Sequence, residues 1–400
     1  MKKKALMYAS VASMIQQFNM DNIRLLQELG YEVDVACNMK QGSTITDEKV
    51  SLMKSELETM GVHVYHIPVP RSITNIKDIW KSFWITRKLI NEQEYSLIHC
   101  HSPIGGMICR LANRLSKWYG QVRMIYTAHG FHFYDGAPFI NWLVFYPMEK
   151  LCSAFTDVLI TINLEDNALA KRRMKAGRVV WVPGVGVDVN RISKVIGKRM
   201  SLCKELGVDE NQILMLSVGE LNDNKNHSAV VEVLNQLPQN YHYLICGQGA
   251  NFGKLITLAK NSGCENRLHL LGYREDIFEI MKSCDLFVFP SKREGLSLSI
   301  MEAMACGLPC FVSDIRGNRD LIKDKIGGRL MPVGTFGPSF VQSILEITNL
   351  DSFAKKCSTY NQAQVDSLSK QNIGEEMKKI YEGKESNDES VDDICNHGCI

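Results

Sequence analysis

Two glutamates, Glu294 and Glu302, flank the loop and helix start in Phe289-Pro-Ser-Lys-Arg-Glu-Gly-Leu-Ser-Leu-Ser-Ile-Met-Glu-Ala-Met-Ala-Cys-Gly-Leu-Pro309. The apolar run Leu286 to Phe289 reads as a buried strand that stops at Pro290. A loop containing Gly295 follows. Ser299 stands three residues before Glu302, the spacing of a capping box that opens a helix. The unpaired N–H groups at the positive end of that helix suit a phosphate. In open parallel sheets ligands bind at the carboxyl ends of strands, where this loop lies. Two carboxylates beside a diphosphate repel it unless they accept hydroxyl hydrogen bonds. That combination points to a sugar nucleotide, with hydroxyls on both sides of its phosphates. For Glu302 alone, a plain helix cap is the competing reading.

Three further loops follow strands in the same half. Ser217-Val-Gly219-Glu-Leu-Asn-Asp-Asn-Lys225-Asn-His227 places a lysine where it can reach a phosphate as a point charge, although a single lysine is often only solvated surface. Cys246-Gly247-Gln-Gly249 and Leu271-Gly-Tyr-Arg274-Glu-Asp276 end two more strands with glycine turns. Four loops can therefore line one cleft. In the other half, His99-x-His101 and His129-x-x-His132 with Asp135 invite a metal reading, since alternate strand residues point the same way. The competing reading is a set of buried histidines satisfied by hydrogen bonds.

These loops need strands to carry them. Short Val-, Ile- and Leu-rich runs recur at helix-sized intervals, as parallel sheets covered on both faces require. They lie at Ala5 to Ala9, Glu32 to Ala36, Val62 to Ile67, Leu97 to His101, Arg123 to Thr127, Asp157 to Ile162 and Val179 to Val182. A second series lies at Ile213 to Val218, Tyr243 to Cys246, Leu268 to Leu271, Leu286 to Phe289, Cys310 to Val312 and Arg329 to Met331. The expected fold class is α/β, with two Rossmann-like doubly wound domains facing a cleft. The pattern assigns 1–190 to the first domain, 191–211 to a linker, 212–345 to the second domain, 346–383 to C-terminal helices and 384–400 to a disordered tail.

With 400 residues and a net charge of +2, the chain has ordinary globular composition and lacks the basic excess of a general nucleic-acid binder. Residues 1–190 hold 22 Lys and Arg against 17 Asp and Glu, net +5, leaving −3 for the remainder. The basic half is the one suited to an anionic surface. The 13 cysteines are odd in number and sit in apolar runs, as free thiols in a reducing compartment do. A cytoplasmic location is expected. No stretch approaches a membrane span, so any membrane contact is peripheral. Phe131 to Tyr146 carries seven aromatics and few charges, either a lipid-facing surface or a packed helix. Ile76, Ile79, Trp80 and Phe83 lie near helical spacing among lysines, and core packing is the expected reading there.

The ordered set Gly-Glu-Leu…Lys-Asn-His, Cys-Gly-x-Gly, Leu-Gly-Tyr-Arg-x-Asp-Ile, Glu294-x7-Glu302-Ala-Met-Ala and Asp314-Ile-Arg-Gly-Asn-Arg resembles the retaining glycosyltransferases of family 4, which have the GT-B fold. Tyr126-Thr-Ala-His129-Gly-Phe-His-Phe resembles members that build bacterial exopolysaccharide or capsule repeat units. The resemblance implies that Glu294 bonds donor-sugar hydroxyls and Glu302 the ribose. It implies that Lys225 holds the diphosphate with the amides near Leu298 and Ser299, with Gly219, Gly247, Gly295 and Arg274 completing the donor site. His129 and Glu294 would flank the anomeric centre as catalytic residues, Glu294 without acting as a nucleophile. The family needs no metal, so no cofactor is expected. The partners it implies are a nucleotide-sugar donor, a polyprenyl-diphosphate-linked glycan acceptor and an anionic membrane. Many family members have an arginine where this chain has Glu220, which leaves Arg274 or Arg316 to replace it. The rival readings are a nucleotide-sugar 2-epimerase, which shares the fold, and a non-catalytic partner protein. An NAD-dependent oxidoreductase is disfavoured, because Ser10 to Phe18 contains no glycine.

Overall fold

A computed structural model describes residues 3–41, 45–347 and 349–384. All thirteen apolar runs are strands. In the first unit these are β1 (Lys4–Val11), β2 (Glu32–Asn38), β3 (His63–His66), β4 (Leu97–His101), β5 (Arg123–Ala128), β6 (Val158–Thr161) and β7 (Arg178–Trp181). The second unit holds β8 (Ile213–Val218), β9 (Tyr241–Cys246), β10 (Leu268–Gly272), β11 (Leu286–Phe289), β12 (Cys310–Ser313) and β13 (Gly328–Met331). Both sheets are parallel throughout. Their orders are β3-β2-β1-β4-β5-β6-β7 and β10-β9-β8-β11-β12-β13, the doubly wound arrangement. In each, the order reverses beside the first strand, between β1 and β4 and between β8 and β11.

Side chains alternate across each strand, and both faces are covered. Ala5, Met7 and Ala9 of β1 enter one apolar cluster while Leu6 and Tyr8 enter another. Phe287 and Phe289 of β11 likewise face away from Leu286 and Val288. Burial on both faces is why these strands read as continuous apolar runs. The described cysteines are free, and all but Cys306 are buried.

Compact units divide elsewhere than the turn residues suggest. The first comprises residues up to Val185 together with Ile373 onward, and the second runs from Gly186 to Asn372. Residues 191–211 are no linker, because helices Val189–Ser193 and Arg199–Leu206 bury Ile192, Leu202 and Cys203 in the second unit's core. The C-terminal helices are shared. Leu350–Ser367 places Val365 in the second core, whereas Lys370–Glu382 places Ile373, Met377, Ile380 and Tyr381 in the first. Of the expected tail, residues 385–400 lie outside the described residues.

Two helices of the first unit, Ile76–Gln93 and Phe139–Ser153, pack on either side of helix Pro103–Arg114. Arg110, fully buried, donates to Glu149 at 2.7 Å, and Tyr126 donates to the other carboxylate oxygen at 2.7 Å. These three residues fasten helices Pro103–Arg114 and Phe139–Ser153 to β5. Removing one partner of such a buried pair costs about 3 to 5 kcal/mol. The aromatic run divides. Phe131 and Phe133 are core, and Trp142 packs on Phe133 and Tyr146 while donating to the Tyr134 carbonyl. Phe139, Ile140 and Leu143 remain exposed. The expectation for the other helix is corrected in the opposite sense. Phe83 is core, but Ile76 and Trp80 are 73% and 61% exposed. Among the described residues no helix is long and apolar enough to cross a membrane.

His99 is buried in the sheet, with Nδ1 2.8 Å from the Tyr381 hydroxyl and Nε2 2.8 Å from the Thr127 hydroxyl. Burial pushes its pKa down to about 3. The unfolded chain takes up this proton near the ordinary value of about 6.5, so the stabilisation is complete above that pH and is lost on acidification. The other buried histidines add acid losses of their own, so urea unfolding should show a loss of stability between pH 7.5 and 5 that is smaller by about 2 kcal/mol in His99→Gln than in wild type. Equal losses in the two proteins would refute this.

Candidate active site

At the reversal point of the second sheet, the loops that follow β8 and β11 are laced together. Asn224 donates through Nδ2 to the Arg293 carbonyl at 2.9 Å and accepts at its own carbonyl from the Lys292 amide at 2.8 Å. Asn226, in the left-handed region at φ 56°, donates to the Pro290 carbonyl at 3.1 Å. Asn222 caps the turn by accepting from the Lys225 amide at 2.9 Å. Sequence reasoning passed over these asparagines. The signal was present, since Asn222-Asp-Asn-Lys-Asn226 is dense in residues that bond their own backbone and tolerate left-handed conformations.

Between the two loops Lys225 extends along Gly219. A Cβ at Gly219 would lie 3.3 to 3.6 Å from the lysine stem. The ammonium sits 4.6 Å from the centroid of the Phe289 ring and donates to Glu294 Oε1 at 2.8 Å. Lysine and glutamate are thus direct partners, both mostly buried. An ammonium has three donors. One goes to Glu294, and the others can meet a phosphate at the mouth of the loops.

Glycine is required here by close approach of backbone to backbone. A Cβ on Gly247 would fall 1.8 Å from the Gly219 carbonyl oxygen. A Cβ on Gly317, whose φ is 75°, would fall 2.1 Å from the Gly295 oxygen. Gly247 therefore supports the Gly219 turn, and Gly317 supports the Glu294 loop. His227 closes the floor, with Nδ1 3.2 Å from the Tyr243 hydroxyl and a pKa pushed down to about 4 by burial, then by Lys225.

The helix after this loop spans Leu298–Ala305 with Ser297 as N-cap. The capping box expected at Ser299 is absent, since the Ser297 and Ser299 hydroxyls pair with each other at 3.0 Å. Leu298 and Ser299 are the first two helical residues, whose amides have no acceptor within the helix. Glu302 is in the second turn rather than the first. Burial raises its pKa to about 7 against the opposing charges of Arg191 and Lys370. It belongs to a different electrostatic neighbourhood from Glu294.

Arg274 is committed elsewhere. It bonds Glu205 at 2.7 Å and Asp276 at 2.7 Å, and these carboxylates hold its pKa up. A guanidinium engaged by two acids would have to release one of them to hold a phosphate. Glu220 is exposed, while Arg316 is buried immediately before Gly317.

His129 belongs to the first unit, just beyond β5. Its Nε2 lies 3.1 Å from Nδ1 of His101, and burial brings its pKa down to about 4. His99 and His101 do converge, with ring centroids 4.2 Å apart, but Tyr381, Thr127, Met7 and His129 occupy their four nitrogens. Among the described residues no group of three or more His, Cys, Asp or Glu could hold a metal ion.

Known proteins match the chain along nearly its whole length. Residues 200–364 match the family described as Glycosyl transferases group 1, and residues 15–184 match the Glycosyl transferase 4-like domain. The chain is 32% identical over 386 residues to the putative glycosyltransferase EpsD of Bacillus subtilis, covering 95% of this chain and 97% of that protein. It belongs to the group 1 glycosyltransferases.

The two matched regions fall within the two compact units, and the second contains every residue of the second-sheet loops described above. The glycosyltransferase is also 29% identical, over 86% of its length and 87% of the other's, to an Escherichia coli enzyme named UDP-Gal:alpha-D-GlcNAc-diphosphoundecaprenol alpha-1,3-galactosyltransferase. HepE of Anabaena, solved with UDP and glucose, shares the GT-B fold at a TM-score of 0.73 and 18% identity, covering 95% of this chain and all of that one. In this glycosyltransferase Gly247→Ala should cost about 1 to 3 kcal/mol by pushing the Gly219 turn away from Lys225. Gly253→Ala, with nothing within 4 Å of the added carbon, should leave the melting temperature unchanged or slightly raised. Equal melting temperatures for the two variants would contradict the backbone contact.

Proposed function

We propose that this glycosyltransferase moves a sugar from a UDP-sugar to a lipid-linked saccharide during cell-surface polysaccharide synthesis, with retention and without a metal ion. The observation that carries this reading is the Lys225–Glu294 pair, at 2.8 Å, on the two loops of the reversal point. It sets a cation for a diphosphate beside a carboxylate for sugar hydroxyls. Glu302, near half ionised at neutral pH, suits a ribose. The E. coli relative, whose name specifies a UDP-sugar donor and a diphosphoundecaprenol-linked acceptor, supports the choice of both substrates.

In the proposed step the bond from the anomeric carbon to the diphosphate oxygen breaks, and a bond to the acceptor oxygen forms on the same face. The acceptor proton passes to the departing phosphate oxygen. Lys225 and the amides of Leu298 and Ser299 stabilise the charge that develops there. Replacing Lys225 or Glu302 by Ala removes a charge-assisted bond worth about 1.5 to 3 kcal/mol. Calorimetry in EDTA should show UDP bound by wild type and at least about tenfold more weakly by each variant. Equal affinities, or no wild-type binding until manganese is added, would remove this reading.

The acceptor is proposed to lie at an anionic membrane on the cytoplasmic side. A crossover helix runs antiparallel to its strands and so begins at the carboxyl edge of the sheet. Ile76 and Trp80 on one helix, and Phe139, Ile140 and Leu143 on the other, are exposed in the first two turns at that edge. Exposed Lys77 and Lys81 stand among them. Such a face suits acyl chains bounded by anionic headgroups. Vesicles containing phosphatidylglycerol should bind the protein at 0.1 M salt and release part of it at 1 M, as the screening length falls from about 10 Å to about 3 Å. Phe139→Ser with Leu143→Ser should weaken binding further, and binding equal to wild type would exclude this face.

A further inference from the structure

Helix Phe139–Ser153 changes character along its length. Its first two turns expose Phe139, Ile140 and Leu143. Trp142, Tyr146 and Lys150 then recur at every fourth residue and so share one face. The ring centroids of Trp142 and Tyr146 are 5.7 Å apart, and Nζ of Lys150 donates to the Tyr146 hydroxyl at 3.3 Å. A second cation comes from the next helix, Leu164–Arg173. The Arg173 guanidinium stands 5.9 Å from the Tyr146 ring centroid and 6.0 Å from that of Trp142, and Lys150 lies 5.5 Å from the same Tyr146 ring. Lys175 belongs to this corner too, because its amide donates to the Ser153 hydroxyl at 2.8 Å. Glu149, the neighbouring acid, turns inward to Arg110. Two cations thus converge on one neutral phenol, and among the described residues no carboxylate pairs with Lys150, Arg173 or Lys175.

We propose that Lys150, Arg173 and Tyr146 form a site for the terminal phosphate of a membrane lipid, a phosphomonoester head whose apolar chain runs past Leu143 and Phe139. The inference rests on the reading that places this helix at an anionic membrane. Burial works to raise the Tyr146 pKa, yet hydrogen bonds and charge from Lys150 and Arg173 bring it below its ordinary value. The phenol oxygen accepts from the ammonium and keeps its own proton to give, and among the described residues nothing takes that proton. An ammonium, a guanidinium and a phenol therefore offer donors to one point, with two positive charges and no acid to balance them. A phosphomonoester carries about −1.5 to −2 at pH 7 and three oxygens that accept. A phosphodiester head has about half that charge and two such oxygens, so it leaves part of the site unmatched. The spacing along the helix agrees. Leu143 and Lys150 are about 10 Å apart along the axis, similar to the headgroup layer of one leaflet. Trp142 and Tyr146 fall between them, at the level where amphipathic rings settle in a bilayer. The apolar tip can enter any bilayer, whereas the cation pair behind it selects the headgroup.

The test uses phosphatidylcholine vesicles that carry either phosphatidic acid or phosphatidylglycerol, matched for surface charge, with binding at 0.1 M salt read by co-sedimentation. Wild type should bind the phosphatidic acid vesicles at least about tenfold more tightly, the value of one charge-assisted bond. Lys150→Gln and Arg173→Gln should each remove most of that preference while weakening binding to phosphatidylglycerol by no more than about fivefold, the effect of one lost surface charge. Tyr146→Phe keeps the ring and should lower the preference by about threefold or more through the hydroxyl alone. Lys77→Gln combined with Lys81→Gln should weaken both kinds of vesicle alike and leave the preference intact, since those lysines act through the surface potential. Equal binding of wild type to the two vesicles, or a preference kept when Lys150→Gln and Arg173→Gln are combined, would overturn the phosphate site and leave the membrane reading standing. Binding to neither kind of vesicle would overturn both.

Discussion

A parallel sheet covered by helices on both faces has chemistry available only at its ends, and everything functional in this chain follows from that restriction. The strands are spent on packing, with alternate residues committed to opposite cores. What remains is the set of loops at the carboxyl edge, and among these the reversal point is special because the connections leave it in opposite directions. In the second unit that point holds Gly219, Lys225 and Glu294. The loops reach this proximity because Gly247 and Gly317 give up a side chain to let backbone pass against backbone. Lysine and glutamate then neutralise each other in a setting too enclosed for either charge alone.

The carboxylates illustrate how neighbours divide labour within one site. Glu294 is paired with an ammonium. Glu302, a turn into its helix, has its pKa raised to about 7 by desolvation despite Arg191 and Lys370. A ribose contact made by such a group can accept or donate as the ligand demands. The histidines of the first unit follow the same principle in reverse: burial keeps them neutral, and their hydrogen-bond partners settle where each proton sits.

Much of this was legible in the sequence. Every strand was visible because two-sided burial writes a continuous apolar run, and Lys225, Glu294 and Glu302 drew notice because they stand in loops or at a helix start directly after strands. What was lost shows where local pattern ends. Ser299 has the spacing of a capping box, but the chain enters its helix at Leu298, so the hydroxyl turns to Ser297 instead. Arg274 is engaged by Asp276, two residues on, and by Glu205, 69 positions away, a partner that no local pattern reveals. Exposed Trp80 and buried Phe83 share one helix with similar hydropathy, and only the neighbouring helix decides which of them is covered. The asparagines between 222 and 226 act through backbone carbonyls of another loop, which no residue-type pattern reveals.

The closing helix, Lys370–Glu382, has a consequence for how such enzymes exchange parts. Its apolar residues complete the core of the first unit, and the Tyr381 hydroxyl bonds His99 beneath the His101–His129 pair. A hybrid made by joining the first 185 residues of one family member to the remainder of another would graft a foreign lid onto the histidine cluster. Recombination that preserves the unit must move two separated stretches of chain together, so any exchange of the first unit has to carry helix Lys370–Glu382 with it.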